Sequence, residues 1–377
     1  MNKADKLGLR TWIEIDKKAI VHNYLVFRSL ISKQTKLLGV VKSNAYGHNL
    51  VEFAKELEKL GVDYLAVDSV VEGMALRKAQ IKIPILVLGY TLPVMIEKAV
   101  LNNLDISISN FDYFKEIKKL NLKKSVNVHI KVDTGMHRHG FQEGDIKNVL
   151  AEIKNRKIKV VGLYTHFASA KNPAFPKDTK KQIEIFDKWV RAFTKAGIRP
   201  ICHAGATSGT ILFPEAHFDM VRVGIGLYGI WPSSETKKIA ISKFKLQPVL
   251  SWKTIIGEIN NIKAGERVGY DFTKKLKIDS KVAILPIGYW HGYPRALSNI
   301  GYVLVNGMRA KILGRICMDI IMIDVTGIKG VKVGDEVVII GHDKKEEISV
   351  DDIATQLNAS SYELITRINP LIKKIYK

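Results

Sequence analysis

Along the first two-thirds of the chain, apolar positions gather into short unbroken runs separated by stretches of helical period. The runs are LLGVV, YLAV, IPILVLG, DISIS, VNVHIKV, VVGLYTHF, ICHA and FDMVRVGIG: eight in all, seven followed by a helix-like pattern and the eighth by a linker. Aliphatic runs without polar alternation suit parallel strands buried on both faces. Leu50, Ala54 and Leu57 recur at three-to-four spacing after the first run, and Phe186, Trp189, Val190 and Phe193 do so later, as helices packed on one face require. The pattern predicts an α/β fold, a (β/α)8 TIM-like barrel over residues 1–245, close to the ~250 residues typical of that architecture.

After GIWPSSETKK the texture changes. From residue 246 to 377 the apolar runs are short and broken by turn signals, AG at 264, NG at 306, KG at 329 and VGDEV at 333, and only ISVDDIATQLN looks helical. This predicts a second, mostly antiparallel β domain, with the TWIEID run near the N-terminus (about residues 9–16) a candidate to lend it a strand. A chain of 377 residues is also longer than one core usually serves.

Composition narrows the class. With 46% hydrophobic and 25% charged residues the chain reads as an ordinary globular protein. No apolar stretch approaches the ~20 residues of a membrane helix, and the opening MNKADKLGLR lacks the apolar core of a secretory signal, so a cytoplasmic protein is expected. Cys202 and Cys317 lie far apart without a CxxC pair, which argues against a disulfide framework and a structural zinc site. The 59 basic against 37 acidic residues give +22 and raise polyanion binding, but the basic residues are scattered through LKKS, TKKQ, TKKLK and LIKKIYK. Solvated lysine-rich faces are the expected reading, with no specific nucleic-acid partner and no membrane.

Barrels of this kind place their chemistry at the C-terminal ends of the strands. There the sequence puts Lys42 after the first strand, Arg138 after the fifth, His166 at the end of the sixth, HAGATSG after the seventh, and Arg222 on the eighth leading into GIGLYG. The last segment, residues 224–229, matches G-x-G-x-x-G, but a dinucleotide site would need a βαβ unit and an acidic residue after it. A phosphate cradle fits the loops after strands seven and eight better, and a plain exit turn is the remaining reading. Phosphate opposite a strand-end lysine suggests pyridoxal 5'-phosphate, held by lysine as a Schiff base. His129, His137 and His139 lack an acidic or cysteine cluster, so no metal is expected.

The segments VVKSNAYGHN, DTGMHRHGF, THFASA, MVRVGIGLYG, VGYDFT, ILPIGY and GRICMDIIMIDVTG resemble, in order and over nearly the whole chain, the signature segments of the alanine racemase family. The resemblance implies a pyridoxal-phosphate barrel followed by a β domain, a homodimer with shared active sites, and interconversion of L- and D-alanine that supplies D-alanine for cell-wall synthesis. It implies that Lys42 holds the cofactor and serves as one base, and that Tyr270 from the partner subunit is the other. Nearby cations would support a Tyr270 phenolate, which gives His166 and Arg222 a role; Arg222 would also meet the pyridine nitrogen, and Arg138 the cofactor's phenolic oxygen. Tyr46, Ser208, Gly224 and Ile225 would hold the phosphate; Tyr289, Met318 and Asp319 would shape the substrate end. Lys131 stands where some members carry a carbamylated lysine.

Several positions depart from the family pattern. His137 and His139 replace a small and an aliphatic residue beside Arg138, Trp290 and His291 replace Ala-Asp after Tyr289, and Thr207 competes with Ser208 for the phosphate. Asn369-Pro370 occupies a stretch where some members place a tyrosine on the phosphate. The nearest alternative function is racemisation of serine or a broader range of amino acids. A non-catalytic pyridoxal-phosphate carrier is a different class, against which the β domain with Tyr270 argues.

Overall fold

The computed structural model describes residues 8–172 and 174–377; residues 1–7, part of the opening read for a leader, lie outside the described residues. The chain divides into two compact units. Of the described residues, one comprises Ile20–Ala45 and Leu50–Gln247; the other comprises 8–19, Tyr46–Asn49 and Pro248–Lys377.

Strand β1 is Thr11–Ile15, and the first unit is built on β2 (Lys36–Val40), β3 (Tyr64–Val67), β4 (Ile85–Val87), β5 (Asp105–Ile108), β6 (Val126–Lys131), β7 (Ile158–Tyr164), β8 (Ile201–His203) and β9 (Met220–Val223). Strands β2–β9 run parallel in the order β8-β7-β6-β5-β4-β3-β2-β9. The seam between β8 and β9 is stitched by Asp219 N to Cys202 O at 3.0 Å and Arg222 N to Gly205 O at 2.9 Å, so the sheet is a nearly closed barrel. All eight apolar runs thus become barrel strands, and the expected fold class holds.

The helices cover the barrel with their periodic faces. Leu50–Leu60 buries Leu50, Phe53, Ala54 and Leu57, and Pro176–Lys195 buries Ile183, Phe186, Trp189 and Phe193. Each large apolar side chain so buried contributes roughly 1.5–3 kcal/mol. The stretch read as a linker after the eighth strand contains a helix, Ser234–Ala240, because Ser233 Oγ accepts from Thr236 N at 3.1 Å and caps it.

In the second unit β10 (Leu250–Ile255), β11 (Glu258–Ile262), β12 (Arg267–Val268), β13 (Lys274–Lys275), β14 (Ser280–Leu285), β15 (Tyr302–Val305), β16 (Met308–Leu313), β17 (Ile321–Asp324), β18 (Glu336–Asp343), β19 (Glu346–Ile348) and β20 (Lys373–Tyr376) follow in sequence. The main sheet runs β11-β14-β17-β16-β15-β18-β10-β1-β20. It is antiparallel apart from the β1–β20 pair. β10 alternates buried and half-buried positions, as a sheet with one covered face does. Besides the anticipated helix, Val350–Leu357, a second one spans Ser361–Thr366. Among the described residues no helix is long and apolar enough to cross a membrane.

Candidate active site

Lys42 opens a turn of unusual hand. Val41 N still bonds Ala66 O at 2.8 Å, as a strand residue would, but Ser43, Asn44 and Ala45 take φ of 55°, 55° and 51°. Left-handed backbone at a non-glycine residue costs about 1–2 kcal/mol, so four in succession, with Tyr46 at φ 51°, need external support. Asn44 N donates to Glu72 Oε1 at 3.3 Å, Leu50 N donates to Asn44 Oδ1 at 2.9 Å, and Ala45 N returns to Val41 O at 2.8 Å. The turn leaves the Lys42 amine partly exposed at the C-terminal end of β2, with Nζ 3.2 Å from Asp68 Oδ1.

Arg222 is the buried charge of the site, 3% exposed on β9. Nη2 donates to Thr165 O at 2.7 Å and Ala204 O at 2.8 Å, and lies 3.3 Å from His166 Nδ1; Nη1 donates to His203 O at 3.0 Å and lies 3.0 Å from His203 Nδ1. Among the described residues no carboxylate lies within ion-pair distance of it. Burial lowers its guanidinium to about 10, which leaves it charged at neutral pH. Burial, and then the charges of Arg222, Arg138, Lys131 and Lys42, push the His166 imidazole down to about 3. His166 is therefore a neutral hydrogen-bonding group and not the cation anticipated beside Tyr270.

Lys131 closes β6 with Nζ 5.6 Å from the centre of the Tyr164 ring. Burial first, then Arg138, Arg222 and Lys42, lower its ammonium to about 8. Arg138 is exposed on the loop that follows, and Asp133 organises that loop by accepting the N–H groups of Gly135, Met136 and His137 at 2.9, 2.9 and 3.1 Å. His137 sits at φ 54° with Nδ1 3.4 Å from Asp133 Oδ2, and its side chain is 78% exposed, so the polarity it adds faces solvent; His139 is exposed too.

After β8 and β9 come the small residues expected to grip phosphate. It is Thr207 whose Oγ1 accepts from Gly224 N, at 3.2 Å, while Ser208 is buried at the next position. Ile225–Tyr228 forms a 3-10 turn ended by Gly229 at φ 77°, and the next strand is β10 of the second unit. No βαβ unit follows, so the dinucleotide reading of GIGLYG falls. The donor set fits pyridoxal phosphate: a primary amine at a strand end, hydroxyls beside a glycine turn, and an excess of cations (Lys42, Lys131, Arg138, Arg222) over the carboxylates of Asp68 and Asp133.

The second unit carries the remaining expected residues. Tyr46 is buried, its ring 6.0 Å from that of Tyr362, and burial pushes its phenol up to about 12. Tyr376, which sequence reasoning missed, donates from its hydroxyl to His48 O at 2.7 Å and so meets the Tyr46 loop; its position on the final KKIY strand was the available signal. Asn369, in the stretch where some family members place a tyrosine on the phosphate, donates from Nδ2 to Trp290 O at 3.1 Å. Tyr270 is 68% exposed on a 3-10 turn whose next residue, Asp271, pairs with Arg315 at 3.0 Å.

Tyr289 and Met318 are brought together by backbone bonds, Tyr289 N to Cys317 O at 3.0 Å and Trp290 N to Met318 O at 2.9 Å. Gly288 permits this approach, since a Cβ there would stand 2.3 Å from Cys317 O. Of the departures, Trp290 is exposed, whereas His291 Nδ1 accepts from Gly288 N at 3.1 Å and lies 3.9 Å from Asp319 Oδ1. His291 therefore braces the turn that carries Tyr289.

Two family models match the chain: alanine racemase, N-terminal domain, over residues 15–232, and alanine racemase, C-terminal domain, over 249–376. The alanine racemase of Leptospira interrogans serovar copenhageni is 38% identical over 374 residues, 97% of this chain and 95% of that protein. Alanine racemase 2 of Bacillus subtilis strain 168 is 39% identical over 379 residues, 98% of this chain and 95% of that protein. Among solved structures, the alanine racemase of Clostridium difficile 630 superposes with a TM-score of 0.92 at 33% identity, covering 98% of this chain and 96% of that one. The alanine racemase of Bacillus anthracis with bound L-Ala-P also gives 0.92 at 33% identity, covering 98% and 95%.

Proposed function

The chain belongs to the alanine racemase family, and on that premise we propose that it is a pyridoxal-phosphate-dependent isomerase that interconverts L- and D-alanine with two bases. The observation that carries the reading is that the matched segments, 15–232 and 249–376, hold between them both groups the reaction needs: the Lys42 amine in one and the Tyr270 phenol in the other. Bound pyridoxal phosphate supplies an electron-withdrawing ring that acidifies the substrate's α-proton.

Lys42 holds the cofactor and moves the proton on one face of the substrate carbon, while Tyr270, contributed by the partner subunit of a homodimer, moves it on the other. A phenol of pKa ~10 is a weak base unless its anion is stabilised. The charged Arg222 serves that purpose, with the neutral His166 as hydrogen-bonding partner between the two groups. Arg222 would also face the ring nitrogen of the bound cofactor; because a guanidinium only donates, it would leave that nitrogen unprotonated and so disfavour transamination. Arg138 orients the cofactor's phenolic oxygen. Thr207 or Ser208, Tyr46 and the N–H groups of Gly224 and Ile225 hold the phosphate, and the partner's Tyr289, Met318 and Asp319 limit the space for the substrate side chain. The setting is cytoplasmic, supplying D-alanine for cell-wall synthesis.

The test is chiral analysis of L-alanine incubated with the protein and pyridoxal phosphate. D-alanine formation supports the reading. Faster turnover of serine than alanine would reassign the substrate, and firm cofactor binding with no racemisation of any amino acid would leave a cofactor carrier.

A further inference from the structure

The barrel interior holds a line of polar side chains that the chemistry above does not use. Interiors of this architecture are filled mainly by branched aliphatic residues, yet Asp105 on β5, His129 on β6 and His203 on β8 are 4%, 0% and 0% exposed. Burying polar groups is unfavourable unless each is satisfied. Arg222 Nη1 lies 3.0 Å from His203 Nδ1, His203 Nε2 lies 2.9 Å from His129 Nδ1, and His129 Nε2 lies 3.6 Å from Asp105 Oδ2. Asp105 further accepts from Tyr64 Oη at 2.8 Å and from Asn127 Nδ2 at 2.9 Å.

The space for this line is built into the sheet. A Cβ on Gly162, opposite His129 in β7, would stand 2.0 Å from His129 Nδ1, and the β6–β7 register shifts between Val128 and His129. The His203 ring is stacked on Tyr164, centroids 4.8 Å apart at 7°, and Tyr164 Oη is fixed by Ser107 Oγ at 2.8 Å. Among the described residues no group of three or more His, Cys, Asp or Glu side chains could hold a metal ion.

Hydrogen placement along the line is forced. A guanidinium can only donate, so His203 Nδ1 must accept. Burial, with the Arg222 charge next, holds His203 well below the usual imidazole range and so neutral. Its one hydrogen is therefore on Nε2 and donates to His129 Nδ1. That leaves the His129 hydrogen on Nε2, which faces Asp105 Oδ2 at 3.6 Å, an electrostatic contact longer than a hydrogen bond. Burial opposes the charge of Asp105, but His129, Tyr64 and Asn127 outweigh it and keep the carboxyl below its usual range. Arg77 also acts on Asp105 through its charge, yet it spends its donors on the carbonyls of Ile81, Ile83, Asn102 and Asn103.

We infer that Asp105 is a positioning residue for Arg222: it faces the His129 hydrogen that the Arg222 guanidinium imposes through His203, and supplies, at the far end of the line, the negative charge the buried guanidinium lacks nearby. The inference rests on the proposed role of Arg222 at the cofactor ring. It assigns a role in racemisation to a residue at the opposite end of the barrel from Lys42.

Two measurements test it. Nitrogen NMR of the histidine-labelled, cofactor-free protein should show His129 and His203 each with a protonated Nε2 and a bare Nδ1; a protonated Nδ1 on either one overturns the inference. This readout needs no activity, so it judges the line even where the proposed reaction is absent. The second is a kinetic cycle on the cofactor-loaded enzyme. Asp105→Asn keeps the shape and removes the charge, and should lower kcat by about 10- to 100-fold, as loss of a carboxylate behind an orienting histidine does, with little change in KM. His129→Gln should cost as much, and the double variant no more than His129→Gln alone. Tyr64→Phe removes another partner of Asp105 but leaves the line intact, and should retain wild-type kcat. Multiplying losses in the double variant, or a Tyr64→Phe loss equal to that of Asp105→Asn, would make Asp105 a purely structural residue.

Discussion

Glu72 Oε1 accepts the backbone N–H of Asn44 at 3.3 Å, while its Oε2 accepts that of Asp68 at 2.8 Å. One carboxylate thus ties the left-handed turn after Lys42 to the turn bearing the residue that Lys42 pairs with. Glu72→Ala should lower stability by about 1–2 kcal/mol, the value of a partly exposed charge-assisted pair of bonds, and should slow the fixing of pyridoxal phosphate on Lys42. Denaturant unfolding gives the first quantity and borohydride trapping with peptide mapping the second. Loss of stability with an unchanged trapping rate would mean that the clamp serves the fold and not the lysine.

Lys131 carries the next prediction. With its ammonium lowered to about 8 by burial and by three neighbouring cations, an appreciable neutral fraction exists just above neutral pH. A neutral amine can add to carbon dioxide: a C–N bond forms, one N–H proton goes to water, and an anionic carbamate is left among Arg138, Arg222 and Lys42. Carbon-13 NMR in labelled bicarbonate should show a carbamate signal that grows as the pH rises through about 8 and is missing in Lys131→Met. Failure to see it above that pH would leave Lys131 a plain amine.

The ease of reading this fold from its sequence follows from where its apolar residues lie. LLGVV, YLAV and their successors stand out because strands buried on both faces leave no room for alternation, and the lysine that closes the first of them was conspicuous for the same reason. The inner line was not legible: in DISIS and VNVHIKV, Asp105 and His129 stand among other polar residues (Ser107 and Ser109; Asn127 and Lys131) and read as ordinary strand positions, and only the fold aligns Asp105, His129 and His203. His129 drew notice only as a metal ligand to be dismissed. Thr207 and Ser208 are adjacent hydroxyls that sequence cannot separate, and both are buried, Thr207 Oγ1 accepting from Gly224 N. The left-handed turn from Ser43 to Tyr46 has a glycine only at its end, Gly47, so sequence does not announce where it begins, and part of its support comes from Glu72, which is distant in sequence.

In the second unit, Glu14 of β1 is buried and meets Lys253, Lys377 and the Trp12 indole. Burial works to raise its carboxyl, but the contacts with Lys377, Trp12 and Lys253 prevail and bring it to about 2, from 4.5. A depressed carboxyl stabilises the fold above its unfolded value, and that contribution is lost as the pH falls toward the folded one. The wild-type melting temperature should therefore drop between pH 4.5 and about 2 by more than that of Glu14→Gln, which starts lower and lacks this component. Parallel acid profiles for the two proteins would remove Glu14 as a contributor.

Division of the two bases between chains is the most direct consequence of the proposed homodimer. Lys42 belongs to the barrel unit and Tyr270 to the other, and a closed two-fold arrangement in which each protomer lends Tyr270 to its partner's Lys42 yields two identical composite sites. Lys42→Ala and Tyr270→Phe proteins should each be nearly inactive alone. Mixed under conditions that exchange subunits, half the dimers become mixed, and in each of these one site carries both defects and the other carries neither. Recovery should approach about a quarter of wild-type activity per site. Exchange can be followed independently with distinguishable tags. Activity that fails to return in a mixture proven to contain mixed dimers would mean that Lys42 and Tyr270 serve the same chain, and the composite site would have to be abandoned.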